Sequence, residues 1–269
     1  MNTGLTKEDQ AMIKEAKGNK VSGPIYSEDG LRLLKVLGNP EYLEVKDGVK
    51  AICDDACQGL DNLHEVVLPA SVTDLGTRAF ASCIKLFKIT MPGVDFIGIE
   101  SFAHCENLKE IALPETLGKI WKAAFADCKA LEEINIPSHL KIIDKSAFRN
   151  SGLKSLNIVI SDDCKCCIYD KAFASCKHLE SVYLNKNVKI VERMAFADCT
   201  SLKTIEFEQP SLTCCAGEIN ATMLIGCTSL EKIIVPKNKY NHYLDFNIQG
   251  YESAQFETRD FNSLITPKE

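Results

Sequence analysis

The sequence predicts a repeat solenoid of α/β type. It should have about eight coils, a parallel sheet on one face, irregular turns and short strands or helical turns on the other, and a cap at each end. Three observations predict it. Leu63, Leu86, Leu108, Leu131, Leu153, Leu179, Leu202 and Leu230 recur at intervals of 22 to 28 residues. Each stands inside one phrase, I-x-x-x-A-F-x-x-C-x-x-L-x-x-I-x-L-P. A segment this short cannot enclose a core alone and has to stack on its copies.

Each column of the phrase has a structural reason. Five places before the Phe position stand Ile52, Leu75, Ile97, Ile120, Ile143, Ile168, Val191 and Ile219, all aliphatic. The Phe column holds Phe80, Phe102, Phe125, Phe148, Phe173 and Phe196, opened by Cys57 and closed by Leu224. These rings should pack between the two legs of each coil, and the neighbouring Ala79, Ala124, Ala147, Ala172 and Ala195 let coils approach. After each Leu come two aliphatic places two apart, as in Val66/Leu68, Ile111/Leu113 and Val182/Leu184. That alternation is strand periodicity with the aliphatic side turned inward. Eight such strands side by side give a parallel sheet at ~4.8 Å spacing, roughly 40 Å along the stack. Pro69, Pro92, Pro114, Pro137 and Pro236 end the strands, because proline has no N–H to continue a ladder.

The ends are read separately, since a solenoid must cover its first and last coils. Residues 1–24 form an N-terminal extension, with a short helix from about Lys7 to Lys17 started at Thr6 and stopped near Gly18. Residues 25–48 form a hairpin-like N-terminal cap around Asp29-Gly30. The solenoid occupies 49–236. Residues 237–269 leave the template but carry Tyr240, Tyr243, Phe246, Tyr251, Phe256 and Phe261, a composition suited to a C-terminal aromatic cap over the last coil, the alternative being an exposed aromatic recognition tail.

Units such as "AFADCKALEEINIP" and "AFADCTSLKTIEF" resemble the BspA-like leucine-rich repeats, from about Ile25 to Pro236. The shortened unit "AFRNSGLKSLNI" is similar to a variant of that family in which Asn-Ser-Gly replaces the Cys-containing turn. The resemblance implies a curved leucine-rich-repeat solenoid that binds proteins or surfaces, and it implies no catalytic residue or cofactor.

Composition narrows the function further. A net charge of -6 and a pI near 5.5 give no basic stripe, so nucleic acid is not an expected partner. No apolar run approaches the ~20 residues of a membrane span, so membrane insertion is not expected either. The first twenty residues lack an apolar signal core, which points to the cytoplasm; a missing signal segment would instead place the protein outside the cell or on its surface. His64, His104, His139, His178 and His242 occupy unlike template positions, and no phosphate-cradling glycine loop occurs. Enzymatic activity is not expected.

Cys83, Cys105, Cys128, Cys176, Cys199 and Cys227 share one column and read as buried structural thiols. Cys164, Cys166 and Cys167 in "DDCKCC" and Cys214 and Cys215 in "PSLTCCAGE" lie in two insertions, which should project on one edge. They stay open between free thiols, a disulfide and a metal site, although C-x-C-C lacks regular zinc spacing.

What remains is surface. The residues flanking the inward aliphatic place of each strand should face outward on an open sheet face. Glu65, Lys88, Glu110, Glu133, Asn135 and Glu206 supply charge and amides along it. Ser155, Asn157, Ser181 and Tyr183 form a polar-aromatic patch of the kind adaptable protein-binding surfaces use. Trp121 stands where other units have Gly76, Gly98 and Asp144, either packed on a neighbouring coil or exposed as a contact. The expected function is a non-enzymatic scaffold that recognises a protein ligand through this face. The alternatives are a secreted or cell-surface adhesion module and a cysteine-based redox or metal-responsive regulator.

Overall fold

A computed structural model describes residues 2–208, 222–237 and 255–259. Helix α1 (Lys7–Gly18) leads into β1 (Gly23–Tyr26), β2 (Arg32–Leu37) and β3 (Tyr42–Glu44). The coils follow as β4 (Ala51–Ile52), β5 (Glu65–Val67), β6 (Asp74–Leu75), β7 (Lys88–Thr90), β8 (Phe96–Ile97), β9 (Glu110–Ile111), β10 (Lys119–Ile120) and β11 (Ile142–Ile143). They continue as β12 (Ser155–Ile158), β13 (Cys166–Ile168), β14 (Ser181–Leu184), β15 (Val188–Val191), β16 (Thr204–Phe207), β17 (Lys232–Pro236) and β18 (Gln255–Arg259).

The result is a parallel β-solenoid of about nine turns. Its two legs make different sheets. The leg that carries the aliphatic place five before Phe forms one nine-stranded sheet, β1-β2-β4-β6-β8-β10-β11-β13-β15, parallel except for the β1–β2 hairpin. The leg after each Leu does not form the single eight-stranded sheet that the repeat predicts. It divides into a four-stranded sheet, β3-β5-β7-β9, and a five-stranded sheet, β12-β14-β16-β17-β18.

The break falls at Glu133–Ile136, and Asn135 explains it. Its side-chain amide accepts from the Leu113 N–H at 3.0 Å and donates to the Leu113 carbonyl at 2.9 Å. A side chain thus takes both backbone groups that a neighbouring strand would have paired. Ile111, Ile134 and Ile136 are correspondingly only partly buried.

The core lies between the legs. Phe80, Phe102, Phe125, Phe148, Phe173 and Phe196 are fully buried and stack ring on ring, with centroids 5.2 to 5.6 Å apart and planes within 8°. The turn that holds each ring is built from left-handed residues two places before and two after it, for example Ala123 (φ 53°) and Asp127 (φ 63°) around Phe125. The N–H groups of Ala123, Phe125 and Asp127 donate to the carbonyls of Lys145, Ala147 and Arg149 in the next coil at 2.7 to 2.9 Å. All these bonds run the same way, and at the first coil the cap takes over the donor's part, the Val36 N–H donating to the Ala56 carbonyl at 2.8 Å. Lys35 adds a side-chain bond to the same turn, its Nζ donating to the Asp55 carbonyl at 2.5 Å.

The cysteine column closes the same turns. The thiols of Cys83, Cys105, Cys128, Cys176, Cys199 and Cys227 each lie 3.1 to 3.2 Å from the carbonyl of the preceding coil's Phe-column residue. For most of these carbonyls the thiol is a second donor, beside a backbone N–H of their own turn such as that of Cys105 on the Phe102 carbonyl at 3.1 Å. Burial pushes the Cys83 thiol up to about 12. Alkylation needs a thiolate, so iodoacetamide at neutral pH should leave Cys83, Cys105 and Cys128, all raised by burial, unmodified until the protein unfolds, and among the described cysteines label half-buried Cys167 first. Rapid labelling of Cys105 or Cys128 in native protein, read by peptide mass mapping, would contradict this arrangement.

In the shortened unit Ser151 replaces the column cysteine, with Oγ 3.3 Å from Cys176 Sγ. Gly152 beside it leaves no room: a Cβ there would sit 2.0 Å from the Lys129 carbonyl. Gly152→Ala should therefore destabilise the fold by about 1–3 kcal/mol. A thermal melt within a degree of the wild type would refute that.

Candidate protein-binding faces

The outward residues of the leg after each Leu come into register as columns. Glu65, Lys88 and Glu110 are paired neighbours on β5, β7 and β9. Lys88 Nζ lies 3.2 Å from Glu65 and 4.0 Å from Glu110, so much of this charge is neutralised within the column. Between β7 and β9 lies a groove of about 460 Å³, floored by Met91, Pro92, Leu113 and Pro114 and rimmed by Lys88 and Glu110. Glu133 is exposed beyond the strand ends, and Asn135 is committed to Leu113.

Beyond the break, Ser155 pairs with Ser181 and Asn157 with Tyr183 across β12 and β14. Ser155, Asn157 and Ser181 are exposed and Tyr183 is half-buried. The Tyr183 hydroxyl donates to Glu208 at 3.1 Å, and burial together with this carboxylate pushes its pKa up to about 12. Glu206 pairs with Tyr183 across β14 and β16, and its carboxylate is held by Arg259 of β18. The structure therefore joins Ser155, Asn157, Ser181, Tyr183 and Glu206 in one region. Glu65, Lys88 and Glu110 form a second, across the break.

The first cysteine insertion does not project as its sequence suggests. Cys166 and Cys167 lie within β13, and Cys164 and Cys166 are buried. The polar cost of the extra residues is met by the next coil, where buried Asn185 and Asn187 donate to the Ile160 carbonyl at 2.7 and 3.0 Å. Among the described residues no group of three or more His, Cys, Asp or Glu is placed to hold a metal. Cys214 and Cys215, with Tyr240, Tyr243, Phe246, Tyr251 and Phe261, lie outside the described residues.

Two histidines among the described residues meet polar neighbours, and the first, His104, has Nδ1 3.6 Å from Asp127 with its own ring exposed. Ser138 Oγ lies 3.0 Å from His139 Nδ1, and His139 Nε2 lies 3.7 Å from Asp163. His139 and Asp163 are largely exposed, and Asp163 takes its short bond, 2.6 Å, from Ser161. Nothing encloses the group, which leaves it a solvated turn rather than an acid–base site.

The nine-stranded sheet carries an outer face that the repeat does not announce. One row runs Phe96, Lys119, Ile142, Cys167, Ile190, and beside it stand Trp121, Asp144, Tyr169 and Glu192. Trp121 packs on the coil before it, 5.3 Å from the Phe96 ring, with Lys119 Nζ 3.4 Å above its own ring. The only signal for this face is that the places on either side of the aliphatic column point away from the core. Strands of two residues made that signal hard to read.

The sequence matches the BspA type leucine rich repeat region, in six copies, over residues 38–154 and 148–251. No curated protein matches it. Among solved structures, the fold is similar to a leucine rich repeat protein of T. pallidum, TpLRR, at 22% identity and TM-score 0.51, over 88% of this chain and 98% of that one. A leucine rich cell surface protein from Faecalibacterium prausnitzii A2-165 is 17% identical, with TM-score 0.42 over 89% of this chain and 93% of that one. The pneumococcal vaccine antigen PcpA is 17% identical, with TM-score 0.45 over 89% and 83% respectively. No helix among the described residues is long and apolar enough to cross a membrane. With the repeat matched along most of its length and its coils stacked in register, the chain belongs to the BspA type leucine-rich-repeat family.

Proposed function

We propose that the chain is a non-enzymatic scaffold that binds a protein partner on the outward face of the leg after each Leu. The observation that carries this reading is the patch on β12 and β14. Ser155, Asn157, Ser181 and Tyr183 stand in register over a rigid, dry core, and the first three are exposed. Tyrosine offers contact area at little entropic cost, and serine and asparagine offer adaptable hydrogen bonds. Affinity on such a surface is dominated by a few anchors, with Tyr183 the largest side chain available. The groove rimmed by Lys88 and Glu110 supplies a second, more apolar contact on the same side.

The test is a pull-down from an extract of the source organism with wild type beside a Tyr183→Ala, Asn157→Ala double variant. Both forms should melt within a few degrees of each other, and the variant should lose the partner. Equal recovery by both forms would defeat the reading.

A further inference from the structure

We infer that the outer face of the nine-stranded sheet is a second docking surface, on which an acidic amphipathic helix of a partner protein lies along the solenoid axis. Phe96, Trp121, Ile142, Tyr169 and Ile190 are all half-exposed on this face, over five successive coils. Lysines flank them on both sides: Lys141 and Lys165 on one, Lys122 and Lys145 on the other, all exposed. None of these four has an ion pair among the described residues, unlike Lys129, Lys154 and Lys203, which meet glutamates of the preceding coil at 2.7 to 2.9 Å. Of the acidic groups on this face, Asp144 meets Lys119 at 3.2 Å, Asp170, in the column of Lys122 and Lys145, meets Arg193 at 3.5 Å, Glu192 accepts from the Asp170 N–H at 2.9 Å, and exposed Asp95 stands beside Phe96 at the end of the apolar group.

Charge selects the partner. The chain carries a net charge of -6, which repels an acidic protein over most of its surface. This face, which composition alone hides, is where such a protein is attracted. Burial, and after it the nearby charges of Lys165 and Lys186, hold the Lys189 pKa below the usual lysine value.

Dimensions select the helix. Lys141 and Lys145 are four residues apart on one leg, roughly 13 Å when extended, and a helix with its side chains is about 10–12 Å across. Five rungs at ~4.8 Å span about 19 Å, the length of a helix of about 13 residues. An extended peptide would need open backbone groups. The middle strands of this sheet have none to offer, being paired on both sides.

The probe is a synthetic 14-residue helical peptide with leucine at i, i+3, i+4 spacing and glutamate elsewhere, titrated by fluorescence anisotropy. Controls are a scrambled peptide of equal composition, the same peptide with lysine for glutamate, and vesicles containing phosphatidylserine. We expect binding of the acidic amphipathic peptide alone, weakened at least tenfold in a Lys141→Glu, Lys165→Glu variant and unchanged in the Tyr183→Ala, Asn157→Ala variant. Both substituted lysines are exposed, so the melting curve should not move. No binding of the peptide, equal binding of the scrambled peptide, an unaltered affinity in the lysine variant, or binding of vesicles in place of the peptide would each overturn the proposal.

Discussion

Phe125→Ala should lower the stability of the solenoid by about 3–5 kcal/mol, the cost of deleting a fully buried ring from a core that cannot collapse around it. Phe125 stands mid-stack, 5.3 Å from Phe102 and 5.2 Å from Phe148, so both neighbours lose their partner at once. Its flanking left-handed residues, Ala123 and Asp127, fix the backbone through bonds to the next coil, which limits relaxation into the cavity. The geometry predicts a second effect. Each coil touches only its neighbours, so weakening one interface in the middle should divide one unfolding transition into two. Urea denaturation followed by circular dichroism would show this as a lower midpoint and a broadened or biphasic curve. Phe125→Leu serves as the control, because it keeps most of the volume and should cost less than about 1.5 kcal/mol. An unchanged midpoint for Phe125→Ala would mean that the ring stack does not hold the coils together.

The stack itself was legible because each coil repeats one template, and a column of phenylalanines can only be buried in a chain of ordinary surface composition. The cysteine column was legible for the same reason, although its bond to the preceding carbonyl was not, since a carbonyl has no letter in the sequence. Asn135 marks where legibility ends. Its position in the strand template reads as outward and available, yet its amide closes on Leu113 and divides the sheet. A side chain that competes with the backbone ladder looks like any other polar residue until its partner is placed.

The two outward faces differ in the same way. The charges of Glu65, Lys88 and Glu110 stand out in sequence, but stacking at strand spacing brings them close enough to neutralise each other. Lys122, Lys141, Lys145 and Lys165 are unremarkable one by one among 31 basic residues. Only the coil geometry sets them beside the two rows that hold Phe96, Trp121, Ile142, Tyr169 and Ile190. A repeat pattern therefore reveals what every coil shares, and hides what a few consecutive coils do together.

Arg32→Met should produce a loss of similar size at the other end of the molecule, and a different signature. Asp9 of α1 is only 4% exposed, and Arg32 of β2 meets its carboxylate at 2.9 Å while also donating to the Gly4 carbonyl at 3.4 Å. Asp9 is held in place as the second half of the helix capping box, accepting from the Thr6 N–H at 2.8 Å. Removing the guanidinium leaves a buried, uncompensated carboxylate, which costs about 3–5 kcal/mol. The helix has few other anchors: Ile13 is its one buried apolar residue, with Met12 partly buried against the core. The cheapest response is therefore for α1 to leave the solenoid while the coils behind it persist. Hydrogen exchange should show fast exchange across Lys7–Gly18 and unchanged protection at Phe125 and Phe148. Adding Asp9→Asn should restore much of the protection, because the amide keeps the cap acceptor and removes the stranded charge. Slow exchange in α1 of the single variant would mean that apolar contacts alone hold the helix. Loss of protection throughout would mean that this end nucleates the whole stack.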